Sequence, residues 1–178
     1  MDSINQQQQE ENHKDLQGNE AGKKIKELAG KTNSCFFCTA ITPGQPINTR
    51  PMAVQKMDEE GNLWFLSAND SHKNVEIAKD NRVQLLFQGS AHSNFLSLYG
   101  VATISTDKEL IKELWEPILK TWFTGGIDDP RITAIKVETT EGYYWDNKHG
   151  DAVAFVKMAA GAIMGKTMDD SIEGKLTV

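Results

Sequence analysis

The stretch LWFLSANDSHKNVEIAKDNRVQLLFQ, from Leu63 to Gln88, contains two apolar runs separated by a polar turn and a short helical pattern. Residues 63–67 are rich in aromatic and aliphatic side chains, the composition of a strand, and Ala-Asn-Asp then supplies a turn. Ser71 is placed to cap a helix running through Val75, Ile77 and Ala78. After it the run 83–88 returns to strand character, with Leu85-Leu86-Phe87 expected to be buried on at least one face. Working outward, residues 34–42, 49–56, 95–104 and 132–140 have the same branched and aromatic bias, and Gly, Pro, Asn and Asp fill the gaps. Two further helices are predicted. One starts at Ala21 and places Ile25, Leu28 and Ala29 on one face, with Gly30 as its stop. The other runs over 107–121, with Leu110, Ile111, Leu114, Trp115 and Ile118 on one side. Short hairpins between six strands, with two or three helices, predict a mainly β fold: a small antiparallel barrel flanked by helices.

Composition bounds the function. The chain has 178 residues with 25 acidic and 19 basic side chains, a net charge of -6. This length suits one domain with a real core. The acidic balance argues against a nucleic-acid binder, which needs excess Lys and Arg on one face. A small anion needs only a few placed cations and remains allowed. The start, MDSINQQQQEENHKD, lacks the basic-then-apolar order of a signal peptide. The longest apolar stretch, 152–164, contains Lys157 and falls short of the roughly 20 residues that cross a bilayer. A cytoplasmic protein without a membrane partner is therefore expected.

The Gln-rich residues 1–19 have almost no apolar anchors and are expected to form a disordered tail. Residues 20–150 form the expected domain, with no internal repeat or linker. The segment 151–178 is expected to be largely helical, packed on the barrel or a dimer, with a lid as the alternative.

Several features could carry chemistry. Cys35 and Cys38 form a C-x-x-C inside a strand-like run, where extended chain puts their Cα atoms roughly 10 Å apart. A disulfide needs about 7 Å or less, so reduced strand cysteines are expected. Two thiols and scattered histidines do not complete a zinc set. Arg50 precedes Pro51 in Asn48-Thr-Arg-Pro-Met-Ala-Val54, and a proline in a strand marks an edge, a bulge or a ligand contact. The turn into Ser71-His72-Lys73 combines a helix start with the hydroxyls of Ser67 and Ser71 and an ammonium, a credible phosphate seat. Trp115, Trp122-Phe123 and Tyr143-Tyr144-Trp145 surround the loop 124–130. These aromatics could flank a planar ligand, fill a dimer interface or pack the core, and core packing suits Trp115. The carboxylates suggest no acid–base pair, and Asp128-Asp129-Pro130 reads as turn chemistry. A flanked nucleophilic serine, His-Glu-x-x-His spacing and a dinucleotide glycine fingerprint do not occur in the sequence.

In order, RPM at a strand start, WFLSANDSHKNVEI, LYGVATI, LWEPILKTWFTGGIDDP and GYYWD resemble the general-stress-protein branch of the pyridoxamine 5'-phosphate oxidase-like flavoproteins. The resemblance covers about Ala21 to Asp146. It implies an FMN-binding split β-barrel that forms a homodimer, with FMN at the subunit interface. Carried over by position, Arg50 and Lys73 would bind the FMN phosphate, with Ser67, Ser71 and His72 assisting beside Leu66. The main chain at Pro51, Met52 and Ala53 would line the isoalloxazine ring, and Trp122, Phe123 and Trp145 would close the pocket from the partner subunit. Asn94 would add a polar contact. The oxidase's C-terminal arginine- and histidine-rich motif is missing: no arginine follows Arg131. Oxidation of pyridoxamine phosphate is accordingly not expected. The implied function is an FMN-dependent oxidoreductase with a nicotinamide electron donor. Alternatives are a non-catalytic FMN buffer or sensor, and a barrel holding deazaflavin or haem, the latter through His72, His92 or His149.

Overall fold

The structure, a computed structural model, describes residues 12–91, 93–164 and 170–178. In chain order its elements are β1 (Leu16–Gln17), α1 (Asn19–Gly30), β2 (Ser34–Thr39), β3 (Asn48–Ala53), β4 (Lys56–Met57) and β5 (Leu63–Ala68). There follow α2 (His72–Lys79), β6 (Arg82–Gln88), β7 (Phe95–Ser105), α3 (Lys108–Leu114), β8 (Ile132–Asn147), α4 (Asp151–Met164) and β9 (Ser171–Thr177). Two 3₁₀ turns, Pro117–Thr121 and Gly126–Asp128, lie between α3 and β8.

The fold is mainly β, as the strand patterns predict, but the sheet is not closed. Its order runs β3-β2-β6-β7-β8-β5-β4, and β3 and β4 pair with different neighbours rather than with each other. The chain itself crosses the split. Ala53 of β3 pairs with Ser34; Val54 N then donates to Asn33 O at 2.9 Å and Gln55 N to Trp64 O at 2.8 Å. Lys56 then pairs with Trp64 of β5. One run of chain thus changes partner midway, giving a curled sheet without a continuous ladder. The long β8 does the reverse job: β7 lines one edge, while β5 and then β9 share the other.

Alternation along β5 explains its unbroken apolar sequence. Leu63 and Phe65 point into the main core with Phe37, Leu85, Leu98 and Ile135. Trp64 and Leu66 point outward into a second core with Ile111, Leu114, Leu119, Phe123 and Ile132. Successive side chains of a strand face opposite sides, so a strand covered on both faces is apolar throughout. Phe37 and Phe65 meet edge to face, with ring centres 5.1 Å apart.

Four sequence expectations need correction. The helix predicted over 107–121 ends at Leu114, because Glu116 precedes Pro117 and adopts an extended conformation, φ -119° and ψ 145°. A residue before proline is driven out of the helical region by the ring. Ile118, in the 3₁₀ turn that follows, is 64% exposed rather than on a buried face. In α2 the buried residues are Asn74 and Ile77, three apart on one face, while Val75 is exposed. The predicted tail is ordered over its last part. Leu16 and Gln17 pair in parallel with Leu176 and Thr177, and Tyr144 Oη donates to Lys14 O at 2.8 Å. Residues 1–11 lie outside the described residues. The C-terminal segment opens as the expected helix, α4, but finishes as β9, antiparallel to β8.

Candidate functional site

Arg50 stands on the edge strand β3, opposite Phe37 of β2, and its side chain reaches Glu76 of α2. Its Nη1 donates to Thr39 Oγ1 at 2.7 Å and its Nη2 to Glu76 Oε2 at 2.8 Å. Thr39 Oγ1 in turn donates to the same Glu76 oxygen at 2.5 Å, and Asn48 Nδ2 donates to the other at 2.6 Å. Arg50 and Glu76 are each about four-fifths buried, with side-chain exposures of 22% and 19%. Burial works against the Glu76 charge, but the bonds from Thr39, Arg50 and Asn48 outweigh it and hold its carboxyl below the ordinary range.

One helical turn from Glu76, on the same α2 face, is Lys73. Burial and the neighbouring positive charge of Arg50 both push its ammonium below the ordinary lysine range, with Glu76 opposing. Among the described residues Lys73 makes no ion pair. Two cations therefore lie in one another's field and share a single carboxylate, which is bonded to Arg50. This donor set fits a ligand carrying a phosphate: a forked guanidinium, an ammonium and the first backbone N–H groups of α2.

The helix start is held in place by a buried polar network. Ser67 Oγ donates to Asn74 Oδ1 at 2.8 Å, Ser71 Oγ accepts from Asn74 N at 3.4 Å, and the two serine hydroxyls are 3.1 Å apart. Asn74 Nδ2 donates to Thr133 Oγ1 at 2.9 Å, and Thr133 Oγ1 donates to Ser67 O at 3.0 Å. Ser67 is buried and Ser71 half-buried, so within this chain their hydroxyls orient α2, and His72 is exposed at its first turn.

The other predicted residues separate into distinct places. Pro51 is exposed on β3 and pairs with Phe36, which is 55% exposed. Met52 packs against the main core and Ala53 is exposed. Leu66 and Phe123 are both buried in the second core, where Phe123 packs on Trp115 with ring centres 6.2 Å apart. Trp122 is 65% exposed. Trp145 pairs with Phe95, stacks obliquely on Tyr143 at 4.7 Å and lines a cavity of about 330 Å³ with Phe36, Leu86 and Phe95. Asn94 is buried in the loop after β6, at the opposite end of that strand from α2, and accepts a hydrogen bond from Lys31. In this chain the structure thus groups Arg50, Lys73, Ser67, Ser71 and His72 around one helix start. It places Asn94, Phe123 and Trp145 elsewhere.

Sequence reasoning missed Thr39, Asn74, Glu76 and Thr133. For Glu76 and Asn74 a signal existed: each is three residues beyond a singled-out residue, Lys73 and Ser71, and hence on the same face of a helix. Thr39 and Thr133 come from distant strands, and only the sheet register brings them in.

A family model described as Pyridoxamine 5'-phosphate oxidase like matches residues 20–169, and the chain belongs to that family. Protein bli-3 of Neurospora crassa is 28% identical over 155 residues, covering 80% of this chain and 74% of that protein. Among solved structures, a protein assigned as general stress protein 26 from Jannaschia sp. CCS1 superposes with a TM-score of 0.72 at 22% identity, over 87% of this chain and 96% of its own. The general stress FMN/FAD binding protein of Xanthomonas citri gives 0.56 at 23% identity, over 67% of this chain and 85% of its own. At these identities the structural likeness establishes the fold.

Proposed function

We propose that this chain binds FMN and works as an FMN-dependent oxidoreductase of the general stress type. The observation that carries the reading is the pairing of Arg50 with a half-buried Lys73 at the start of α2, one carboxylate short of neutrality. Arg50 gives a planar fork for two phosphate oxygens and Lys73 a point charge. Bound flavin supplies the hydride or electron transfer, and the protein's part is to hold and orient it. The exposed main chain of Pro51 and Ala53 runs along the split between β3 and β4, where it can meet the edge of a planar ring.

The apolar outer surface formed by Phe36, Leu86, Phe95 and Trp145 supports the second part of the proposal, a homodimer with flavin at the interface. Phe36 stands opposite Leu86 across β2 and β6, and Phe95 opposite Trp145 across β7 and β8, and apolar and aromatic pairs of this kind are what an interface core requires. In such a dimer Trp122, exposed in one subunit, reaches the flavin of the other.

Purified protein tests this directly. An absorbance spectrum with flavin maxima, followed by release and identification of FMN, is the expected result. A Soret band would instead bring in haem, and a spectrum showing no chromophore after reconstitution with FMN would overturn the proposal. Stopped-flow mixing with NADH and NADPH separates an oxidoreductase from an FMN carrier: the enzyme bleaches, and the carrier is indifferent to both.

A further inference from the structure

Among the described residues Glu76 is the one acidic group that the fold places in contact with Arg50, and its placement is specific. It accepts from Arg50 Nη2, Thr39 and Asn48, so both carboxylate oxygens are engaged. Thr39 closes a ring, accepting from Arg50 Nη1 while donating to Glu76. The guanidinium is thereby held on two of its nitrogens before any ligand arrives. The carboxylate also cancels one of the two positive charges facing the α2 start. Holding Arg50 favours binding by fixing its geometry, whereas cancelling charge opposes it for an anion.

We infer that Glu76 is a positioning residue that orients Arg50 and, through its own negative charge, weakens retention of the phosphate end of the flavin, so that the cofactor exchanges. The inference rests on the FMN reading above and assigns a regulating role to a residue of that same site. Charge and geometry are separable here. Glu76→Gln is nearly isosteric and keeps an oxygen to accept from Arg50 and Thr39, and Asn48 can turn its amide to present its oxygen to the new NH₂. The charge is lost and the anchor stays.

The test measures FMN and riboflavin binding to wild-type protein, Glu76→Gln and Asp80→Asn by flavin fluorescence quenching. Asp80→Asn removes a carboxylate that pairs with Arg82 on the surface and serves as the charge control. The expected result is that Glu76→Gln binds FMN about tenfold more tightly, with slower release, while its riboflavin affinity stays unchanged. Riboflavin has the same ring and no phosphate, so a merely structural change would move both ligands together. Equal shifts for both flavins, an unchanged or weakened FMN affinity, or an equal gain in Asp80→Asn each overturn the inference. Failure of the wild-type chain to bind either flavin overturns instead the reading it rests on.

Discussion

Ser67 Oγ donates to Asn74 Oδ1 across 2.8 Å in the buried junction between β5 and α2. The same asparagine reaches Thr133 on β8, so a single amide ties a helix start to two strands. Asn74→Ala leaves the hydroxyls of Ser67 and Thr133 short of a partner in a site closed to water. The expected cost is about 1–3 kcal/mol. Urea unfolding should show a lower midpoint with an unchanged slope.

Arg50→Ala and Lys73→Ala should each weaken FMN binding by about 1.5–3 kcal/mol, roughly tenfold to over a hundredfold. The arginine change should be the more severe, because it also frees Glu76 to repel the phosphate. Isothermal titration of both variants checks the order, and unchanged affinity in both would remove the phosphate seat.

Asp170 links the C-terminal elements. It accepts from the His149 backbone N–H at 3.0 Å and from Lys157 of α4 at 2.7 Å, with His149 Nδ1 also at 2.7 Å. Burial works to raise its carboxyl, but Lys157 and His149 outweigh it and hold the pKa at about 2, against an ordinary 3.8. A depressed folded value means stability that is full above the ordinary value and lost as pH falls through the folded one. Unfolding midpoints should therefore fall between about pH 4 and 2, and Asp170→Asn should flatten that part of the profile while lowering stability at neutral pH.

Gly174 on β9 lets the N-terminal segment lie against the sheet: a Cβ there would stand 1.9 Å from Lys14 O. Gly174→Ala should displace the segment around β1 while leaving the barrel folded. Limited proteolysis should then cut the variant around Lys14 faster than the wild type.

Much of the fold was legible because its signals are local. The capped start of α2 at Ser71, the alternating strands and the stop after α1 depend on neighbours within one turn or one strand. Trp115 was rightly placed in the core. Local patterns mislead where a second constraint competes with them. Apolar spacing over 107–121 looked like one helix, and Pro117 split it. The polar residues before α1 read as unable to order, yet Leu16 and Gln17 find a partner in β9, more than a hundred residues away. The site was half legible. Arg50 and Lys73 stand out as charge beside a strand proline and a helix start, whereas Glu76 reads as ordinary helix surface, because its partners Thr39, Asn48 and Arg50 come from β2 and β3.

The sequence by itself determined the class of the fold and marked Arg50 and Lys73 as the cations beside a strand proline and a helix start. Those follow from composition, periodicity and spacing, which act over a few residues. Only the tertiary structure decided that Arg50 arrives already held by Thr39 and Glu76, that Ser67 and Ser71 are spent on orienting α2, and that the barrel stays split between β3 and β4. The physical reason is that each of these depends on the register of strands and on a helix crossing them. Side chains distant in sequence must share buried space there, and their charges and hydrogen bonds must be balanced against one another.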